Sequence, residues 1–563
     1  MARYVAGRVS DAPKQLEHLG DFTATRRVAV IAALALPIGA LGALVAWALL
    51  RLIGVITNAV FYQRLGSGLI APGKGHHPPL LILLAPVAGG LAIGLIARFG
   101  SEKVRGHGIP EAIESILTSG SRVQPRVALL KPLASAIAIG TGGPFGAEGP
   151  IIMTGGAFGS LSAQLLHLTA DERKTLLVSG AAAGMAATFN APLASVLLAV
   201  ELLLFEWRPR SSIPVVAAVS VATALRVPLL GAGAVFPAPH GALHLDAAIF
   251  ALCVASGIVA GLLALAATTL VYAAEEAFHR LPIHWMWWPA IGGAIIGLGG
   301  LIVPQALGVG YDVIDAELTG TISLNLIIGI LLVKTLIWSL SLGSGTSGGV
   351  LAPMLMIGGA LGGLEATVFP AVAPGFWALI ALAGVLGGVM RSPLTGVAFA
   401  LELTHRYQAM LPLLIAAATA FLVSVLVLRR SVLTEKIARR GLHLSREYSV
   451  DPLEILFVHE VMSQTAEPPT PLRSGSDDDK NLGGTPVHAD DTLRHVAYVM
   501  AETGHTVLPV SARESPNVRI GTISLEQLLA GRLRDLHEER HSERVLKPLS
   551  LIGVGRNAGE AAG

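Results

Sequence analysis

The sequence predicts an all-α membrane protein that crosses the bilayer many times and is built from two related halves. Of its 563 residues, 53% are hydrophobic and 14% are charged, and the mean hydropathy is +0.65. Soluble domains average about 25% charged residues. Apolar stretches of spanning length recur along the chain, and the same landmarks occur twice in the same order. Because backbone groups in hydrocarbon must be hydrogen-bonded within their own segment, these stretches are predicted to be helices.

Long apolar segments are predicted to span the membrane, and shorter ones to form partial or re-entrant helices. The spanning segments begin at Val28, Leu80, Ala247 and Leu411. Each nears the roughly 20 residues that are needed to cross hydrocarbon. Segments 127–140 and 392–402 are too short or too interrupted by Gly and Pro to span. Glycines and prolines inside apolar segments favour close helix contacts and broken helices over disorder.

Basic residues at the two ends of the apolar region predict its orientation. Arg26 and Arg27 precede the first span, and five Lys or Arg residues lie within 429–440, after the last one. Basic residues accumulate on the cytoplasmic side of membrane proteins. Both termini are therefore expected to be cytoplasmic, with the protein in an inner or plasma membrane.

Composition and motifs exclude several classes of function. The net charge of +2 gives no indication of nucleic acid as a partner. The single Cys253 excludes an intrachain disulfide and a cysteine-based metal site, so core packing is its expected role. No P-loop, GxSxG, HExxH or CxxC motif occurs in the sequence. We therefore expect no enzymatic activity, no cofactor and no metal site.

Five pairs of segments repeat in order at offsets of 201 to 203 residues. "APVAGGLAIGLI" at 85 matches "WPAIGGAIIGLG" at 288, "GHGIPEAI" at 106 matches "GVGYDVID" at 308, and "LLKPLASAIAIGTGG" at 129 matches "LVKTLIWSLSLGSGT" at 332. Further along, "EGPIIMTGGAFG" at 148 matches "LAPMLMIGGALG" at 351, and "APLASVLLAVEL" at 191 matches "SPLTGVAFALEL" at 392. Five ordered matches at a near-constant offset indicate an internal duplication, with repeat 1 over about 28–232 and repeat 2 over about 245–430.

Glycine-rich runs precede several of the short helices: "GHGIP" at 106–110, "GAEGP" at 146–150 and "GGVLAP" at 348–353. Internal repeats with broken helices are typical of transporters, whose site lies where half-helix ends meet near the midplane. Helix N-termini offer unpaired N–H groups and a partial positive charge, and glycine lets the backbone approach a ligand closely. The sequence therefore predicts an anion site built from backbone amides. The alternative is that these glycines serve helix packing only.

These runs resemble the motifs of the CLC family of chloride channels and proton-coupled chloride transporters. "GHGIP" is similar to the family's GSGIP, "GAEGP" to its G(K/R)EGP and "GGVLAP" to its GxFxP, and "NAPLASVLLAVE" at 190–201 also matches. The resemblance covers about 28–445. It implies the CLC fold of two inverted repeats with broken helices, a homodimer in the lipid bilayer with one pore per subunit, and chloride as the substrate. It places the anion-binding residues at His107, Gly108, Ile109, Gly146, Gly149, Gly349, Val350, Leu351 and Leu433.

By the same resemblance, Glu148 is the external gating glutamate. When ionised, it can occupy the anion site and block it. When protonated, it is neutral and can swing away, and in coupled members it also carries the proton. The alternative is that Glu148 only caps a helix. Its counterpart in repeat 2 is Leu351, which has no carboxyl group.

Several positions depart from the family pattern. His107 stands at the central anion-coordinating serine, where a neutral imidazole can donate one hydrogen bond; alternatively it only packs. Ala147 stands at the basic residue that precedes the gating glutamate. Leu351 replaces the phenylalanine of GxFxP, and Leu433 replaces a tyrosine, so no hydroxyl closes the inner side of the site.

The inner proton route is also altered. The glutamate that passes protons in coupled bacterial members aligns with Leu202, which cannot carry a proton. Glu201 has a counterpart in repeat 2, Glu402, and is expected to be structural. Glu206 lies one helical turn beyond Leu202, on the same helix face, and is a possible substitute for the proton-carrying glutamate. Because Leu202 and Leu433 remove features associated with coupling, the sequence favours a passive chloride channel, voltage- or pH-gated through the external glutamate. The alternatives are a proton-coupled chloride exchanger of the same family and, more remotely, a membrane-anchored sensor.

The chain ends in a polar region. We expect a cytoplasmic N-terminal segment over 1–27, the membrane domain over 28–445, and a cytoplasmic region over 446–563. A helix, two strands and a further helix over about 455–530 resemble a single CBS motif in a small α/β domain, and two subunits could pair their copies. Gln527 stands where nucleotide-binding CBS motifs have an Asp for ribose, which argues against binding of an adenine nucleotide.

Overall fold

The computed structural model describes residues 24–239, 243–439, 453, 456–464, 470–471, 487–513 and 515–540. These residues belong to two compact units, one within 22–447 and one within 448–563. Most of the expected N-terminal segment, 1–23, and the start of the expected C-terminal region, 446–452, lie outside the described residues.

The first half of the membrane unit is helical, with short interruptions. Its helices are α1 (Arg27–Tyr62), α2 (Pro79–Phe99), α3 (Ile109–Thr118), α4 (Pro125–Gly140), α5 (Glu148–Gln164), α6 (Ala170–Phe189), α7 (Pro192–Leu198, continued by a π-helical turn over Ala199–Leu204) and α8 (Pro209–Leu230). Helices α3, α4, α5 and α7 are too short to cross hydrocarbon as straight spans, which confirms the prediction of partial helices.

The second half repeats this order. Its helices are α9 (Ala247–His279), α10 (Trp288–Ile302), α11 (Tyr311–Thr319), α12 (Leu324–Gly329, continued by a π-helical turn over Ile330–Lys334), α13 (Thr335–Gly343), α14 (Leu351–Glu365), α15 (Phe376–Met390), α16 (Pro393–Thr404), α17 (Met410–Val427) and α18 (Thr434–Arg439). Within the described residues, seven continuous helical segments are long and apolar enough to cross a membrane. All four predicted spanning segments are among them.

Reciprocal packing between α2 and α10 confirms that the two halves are structural copies. A Cβ atom added to Gly90 would lie 2.1 Å from the Pro289 carbonyl oxygen. One added to Gly293 would lie 2.2 Å from the Pro86 carbonyl oxygen. Gly293 and Pro289 lie 203 residues after Gly90 and Pro86, respectively. The two contacts are therefore equivalent, and each repeat provides the glycine of one and the carbonyl of the other. Only glycine allows such close backbone approach.

The two repeats are inverted relative to each other, and a single backbone pair locates their axis. The Gly349 amide donates to the Gly146 carbonyl at 2.9 Å, in an antiparallel bridge. Gly349 is the repeat-2 counterpart of Gly146. A residue that pairs antiparallel with its own counterpart lies next to a local two-fold axis, about which the chain direction reverses. This axis passes beside Glu148.

Burial within the membrane unit follows this symmetry. Helices α5, α6, α14 and α15 are buried along most of their lengths. Large apolar side chains are exposed instead on outer helices such as α2 and α17, as at Leu80 and Leu426. Exposed apolar surface of this kind suits contact with lipid. Cys253 of α9 is buried, which agrees with its expected packing role.

The C-terminal unit is a small α/β structure. It contains α19 (Val458–Val461), β1 (Ser463–Gln464), β2 (Thr470–Pro471), β3 (Val487–His488), α20 (Leu493–Thr503), β4 (Val507–Ala512), β5 (Ser515–Ser524) and α21 (Leu525–Arg540). The strand order is β1-β5-β4-β3, with β2 also paired to β5; β3 and β4 are parallel and the other pairs antiparallel. The predicted succession of helix, two strands and helix is therefore present.

Candidate functional site

Glycines hold the starts of α3, α5 and α14 against one another. A Cβ atom added to Gly149 would lie 1.8 Å from the His107 carbonyl oxygen and 3.3 Å from the Cα atom of Gly349. A Cβ atom added to Gly108 would lie 2.5 Å from the Gly149 carbonyl oxygen. The glycine-rich runs therefore bring helix N-termini from both repeats to one place, as the anion-site prediction requires. The segments that meet there contain His107, Gly108, Ile109, Gly146, Glu148, Gly149, Gly349, Val350 and Leu351.

Glu148 is the first residue of α5, and its carboxylate lies at the N-terminus of α14 in the other repeat. Its Oε1 atom accepts a hydrogen bond from the Ala352 amide at 3.2 Å. Its Oε2 atom is buried and has no hydrogen-bond partner among the described residues. A Cβ atom at Gly146 or Gly349 would lie within 2.3 Å of this carboxylate, so both glycines are needed to seat it. A helix N-terminus that holds a carboxylate has the chemistry to hold another anion in its place.

The amide of Gly108, which the resemblance assigns to the anion, is used inside α3. It donates to Glu111 Oε2 at 2.8 Å, so the Glu111 side chain reaches back to cap the start of its own helix. The other oxygen of Glu111 accepts from Lys436 Nζ of α18 at 2.6 Å. The start of α3 is thereby fixed to α18, and the Gly108 N–H group is already satisfied.

Leu433 lies in the turn before α18 and is fully buried. Its neighbour Val432 accepts, through its carbonyl, a hydrogen bond from the hydroxyl of Tyr272 in α9. A phenol is therefore present close to the position where the resemblance expects a tyrosine. Its O–H group is directed to the backbone carbonyl, so it is not available to donate to an anion in this conformation.

Two buried lysines near the site were not among the predicted residues. Lys131 Nζ donates to the carbonyls of Val104 and Gly106, at 2.8 and 2.6 Å. Lys334 Nζ donates to the carbonyls of Ala306 and Gly308, at 2.9 and 2.7 Å.

These two lysines are counterparts, 203 residues apart in "LLKP" and "LVKT". Each one hydrogen-bonds the Gly-x-Gly loop of its own repeat, residues 106–108 in repeat 1 and 308–310 in repeat 2. Their side chains are potential sources of positive charge around the predicted anion site. The lysine shared by the aligned segments was the sequence signal that could have identified them.

Glu201 and Glu402 each cap the start of a helix in the other repeat. Glu402 accepts from the Leu193 and Ala194 amides at the start of α7, at 2.9 and 2.7 Å. Glu201 Oε2 accepts from the amide and the hydroxyl of Thr395 at the start of α16, at 3.0 and 2.5 Å. This reciprocal geometry agrees with the expected structural role of Glu201. Leu202 is buried beside it.

The expectation that Glu206 shares a helix face with Leu202 is wrong. The π-helical turn that continues α7 ends at Leu204, and Phe205 then adopts a left-handed conformation with φ of 55°. Glu206 lies beyond that break, 3.5 Å from Arg208 and 3.8 Å from Arg210 in ion pairs. A side chain outside the helix cannot substitute at the Leu202 position through helical periodicity.

Cavities lie next to the Gly-x-Gly loops of both repeats. A cavity of about 450 Å³ is lined by Gly106 and His107, together with Glu111, Tyr272 and Lys436. A second cavity, of about 160 Å³, is lined by Gly308, Val309, Gly310 and Tyr311. Val309 is the counterpart of His107 in repeat 2. The two cavities therefore occupy equivalent places in the two inverted repeats, and they differ in size and in polarity. Within the described residues, no group of three or more His, Cys, Asp or Glu side chains could hold a metal ion.

Comparison with known proteins agrees with this architecture. The family model described as "Voltage gated chloride channel" matches residues 89–425. The H(+)/Cl(−) exchange transporter ClcA of Salmonella arizonae is 32% identical over 370 residues, which are 62% of this chain and 76% of that protein. The voltage-gated ClC-type chloride channel ClcB of Salmonella typhimurium is 32% identical over 379 residues, which are 65% of this chain and 89% of that protein.

Solved structures share the fold. A slow cyanobacterial Cl⁻/H⁺ antiporter has a TM-score of 0.62 at 23% identity, over 74% of this chain and 99% of that one. A eukaryotic CLC transporter has a TM-score of 0.61 at 18% identity, over 89% of this chain and 98% of that one. The matched family model, the inverted repeats and the spanning helices agree. The chain belongs to the voltage-gated chloride channel family, the CLC family of integral membrane proteins.

Proposed function

We propose that the chain is a proton-coupled chloride exchanger, with chloride as substrate and Glu148 as the group that couples the two ions. Relatives at 32% identity include proteins named as exchange transporters and one named as a channel. Solved structures of the same fold include a chloride/proton antiporter and a fluoride/proton antiporter. These names support the exchanger better than the passive channel that the sequence alone favours. The proposal includes no enzymatic step and no cofactor.

The observation that carries the proposal is the position of the Glu148 carboxylate at the N-terminus of α14, beside the internal two-fold axis. The Ala352 amide that holds Oε1 at 3.2 Å is a donor that a chloride ion could equally use. Carboxylate and chloride therefore compete for the same positive helix end. Protonation removes the negative charge from Glu148 and with it the reason to remain there.

Competition of this kind couples proton uptake to chloride binding. A chloride ion that takes the place of the carboxylate favours the protonated, displaced form of Glu148, and protonation favours chloride entry by the same free energy. We assign the anion contacts to the backbone starts of α5 and α14, at Gly149 and at Val350 and Leu351. His107 contributes from the α3 side, and Leu433 contributes apolar surface only.

A passive chloride channel is the second candidate, and the Leu202 region is the observation that favours it. Leu202 is buried and cannot carry a proton. Glu206, the substitute considered from the sequence, lies outside the helix and in ion pairs. If no other group carries protons to the site, chloride moves alone.

Assembly and orientation are also proposals. We infer a homodimer in which each subunit has its own pore, with both termini in the cytoplasm because basic residues flank the outermost spans. In the C-terminal unit, which resembles one CBS motif, copies from two subunits would pair. Gln527 is used within that unit: its Oε1 atom accepts from the Ser524 amide at 2.8 Å, and its Nε2 atom donates to Ser463 Oγ at 2.6 Å. A residue committed in this way supports the absence of ribose binding there.

Flux measurements in reconstituted vesicles test the proposal. An outward chloride gradient is imposed with no proton gradient, and external pH and chloride are recorded together. The exchanger predicts that protons move uphill in a fixed ratio to chloride, and that Glu148→Gln abolishes proton movement while chloride still passes. Chloride movement without protons in the unmodified protein would identify the channel instead, and absence of any ion flux would support the sensor.

A further inference from the structure

The larger cavity connects exposed charged residues to the buried start of α3. Glu102 lines it with a side chain that is 69% exposed, whereas His107 lines it with only 4% of its surface exposed. The cavity also contacts Lys436 of α18, the short helix that follows the last long span. It therefore offers ions and water a way from one face of the membrane unit to His107.

His107 joins this cavity to the turn that carries Glu148. The residue is part of the cavity lining, and its Nδ1 atom is buried without a hydrogen-bond partner among the described residues. Its backbone carbonyl packs against Gly149, the residue after Glu148. An unpartnered ring nitrogen is unusual at a buried position, because such groups are nearly always hydrogen-bonded.

Three other ionisable groups near His107 have partners of their own. Glu111 accepts from the Gly108 amide and from Lys436, at 2.8 and 2.6 Å. Glu201 caps α16 through Thr395. Lys131 donates to two backbone carbonyls. The charged groups that face His107 are Glu111 of α3, Lys131 of α4 and Lys436 of α18, and each of them has a donor or acceptor of its own.

We propose that His107 is the residue that carries protons between this cavity and Glu148, in place of an ionisable side chain at Leu202. This inference rests on the proposed exchange function. A neutral imidazole has one nitrogen that accepts and one that donates. One ring nitrogen takes a proton from water on the cavity side, and the imidazolium releases a proton from the other nitrogen towards the Glu148 carboxylate. The ring is then neutral in its other tautomer, rotation of the side chain restores the starting arrangement, and no other reactant is consumed. Protons and chloride would then share the part of the route that lies beside α3.

The ratio of protons to chloride in the vesicle assay tests this role. In His107→Ser we expect the ratio to fall at least tenfold, whatever the chloride rate of that variant. The matched control is His279→Ser, because His279 lines the same cavity from α9 and packs edge-on against Trp288 with ring centroids 5.0 Å apart. The control is expected to keep the ratio of the unmodified protein. An unchanged ratio in His107→Ser would overturn the inference.

A second variant separates loss of a proton carrier from structural damage. Adding Leu202→Glu to His107→Ser places an ionisable group at the buried position next to Glu201. We expect the double variant to recover proton movement, with the ratio rising at least fivefold over His107→Ser. A double variant that passes chloride but still moves no protons would overturn the inference. If the unmodified protein itself moves no protons, the exchange proposal fails; if it does and His107→Ser does too, only the role of His107 fails.

Discussion

Replacing Glu402 with alanine is expected to lower the free energy of unfolding by roughly 3–6 kcal/mol. The carboxylate accepts from the Leu193 and Ala194 amides at 2.9 and 2.7 Å, and alanine removes both acceptors. A hydrogen bond to a charged group contributes about 1.5–3 kcal/mol, and an amide left without an acceptor inside an apolar region has no water to replace it. Glu402→Gln retains one acceptor oxygen, so about half of that loss is expected.

Denaturation of the purified protein in detergent, followed by tryptophan fluorescence, measures these differences. The control is Glu276→Ala, because Glu276 is an exposed residue of α9 whose side chain pairs with Arg280 one turn away, a contact worth about 0.3–0.5 kcal/mol. Glu201→Ala removes the equivalent cap in the other repeat and should destabilise the protein about as much as Glu402→Ala. Equal stability of Glu402→Ala and the control would refute the capping reasoning. So would a Glu201→Ala protein of normal stability that has lost proton coupling.

Two further predictions concern the loops around the site. Gly149→Ala should abolish chloride efflux from vesicles, because its Cβ atom would lie 1.8 Å from the His107 carbonyl oxygen. The control Gly68→Ala, where no atom lies within 4 Å of the added Cβ, should behave as the unmodified protein. Normal efflux in Gly149→Ala would contradict the geometry. Lys334→Met should lower the unfolding free energy by about 2–4 kcal/mol, because two buried carbonyls lose their donor. Lys131→Met should match it in the same denaturation assay, and a large difference between the two would argue against equivalent roles.

Much of the membrane unit could be predicted because its signals are local or strictly repeated. Hydropathy alone located the four long spans, since each is a continuous apolar segment. The constant offset located the duplication, and the glycine runs located the helix starts that meet at Glu148. The C-terminal helices and strands were also predicted, because alternation and helical periodicity differ there.

Contacts between the repeats could not be predicted, because they join residues about 200 positions apart. Periodicity places Glu402 on a face of α16 but does not identify the amides of α7 that it accepts from. The break at Phe205 carried no signal either, because a phenylalanine with positive φ is uncommon and glycine or asparagine would be expected there. In repeat 2, α16 is followed by His405 with the same φ of 55°, one residue before the position that the 201-residue offset pairs with Phe205.

Symmetry at the site explains why the differences between the repeats carry the proposed function. The bridge between Gly146 and Gly349 lies beside the two-fold axis, so exact symmetry would make the site identical from both sides of the membrane. Two differences between the repeats remove that equivalence. Glu148 corresponds to Leu351, and His107 at the larger cavity corresponds to Val309 at the smaller one. Glu148 and His107 can therefore carry a proton, whereas their counterparts Leu351 and Val309 cannot. Under the proposed exchange, the chloride path is built from backbone common to both repeats, whereas the proton path uses side chains that only repeat 1 contains.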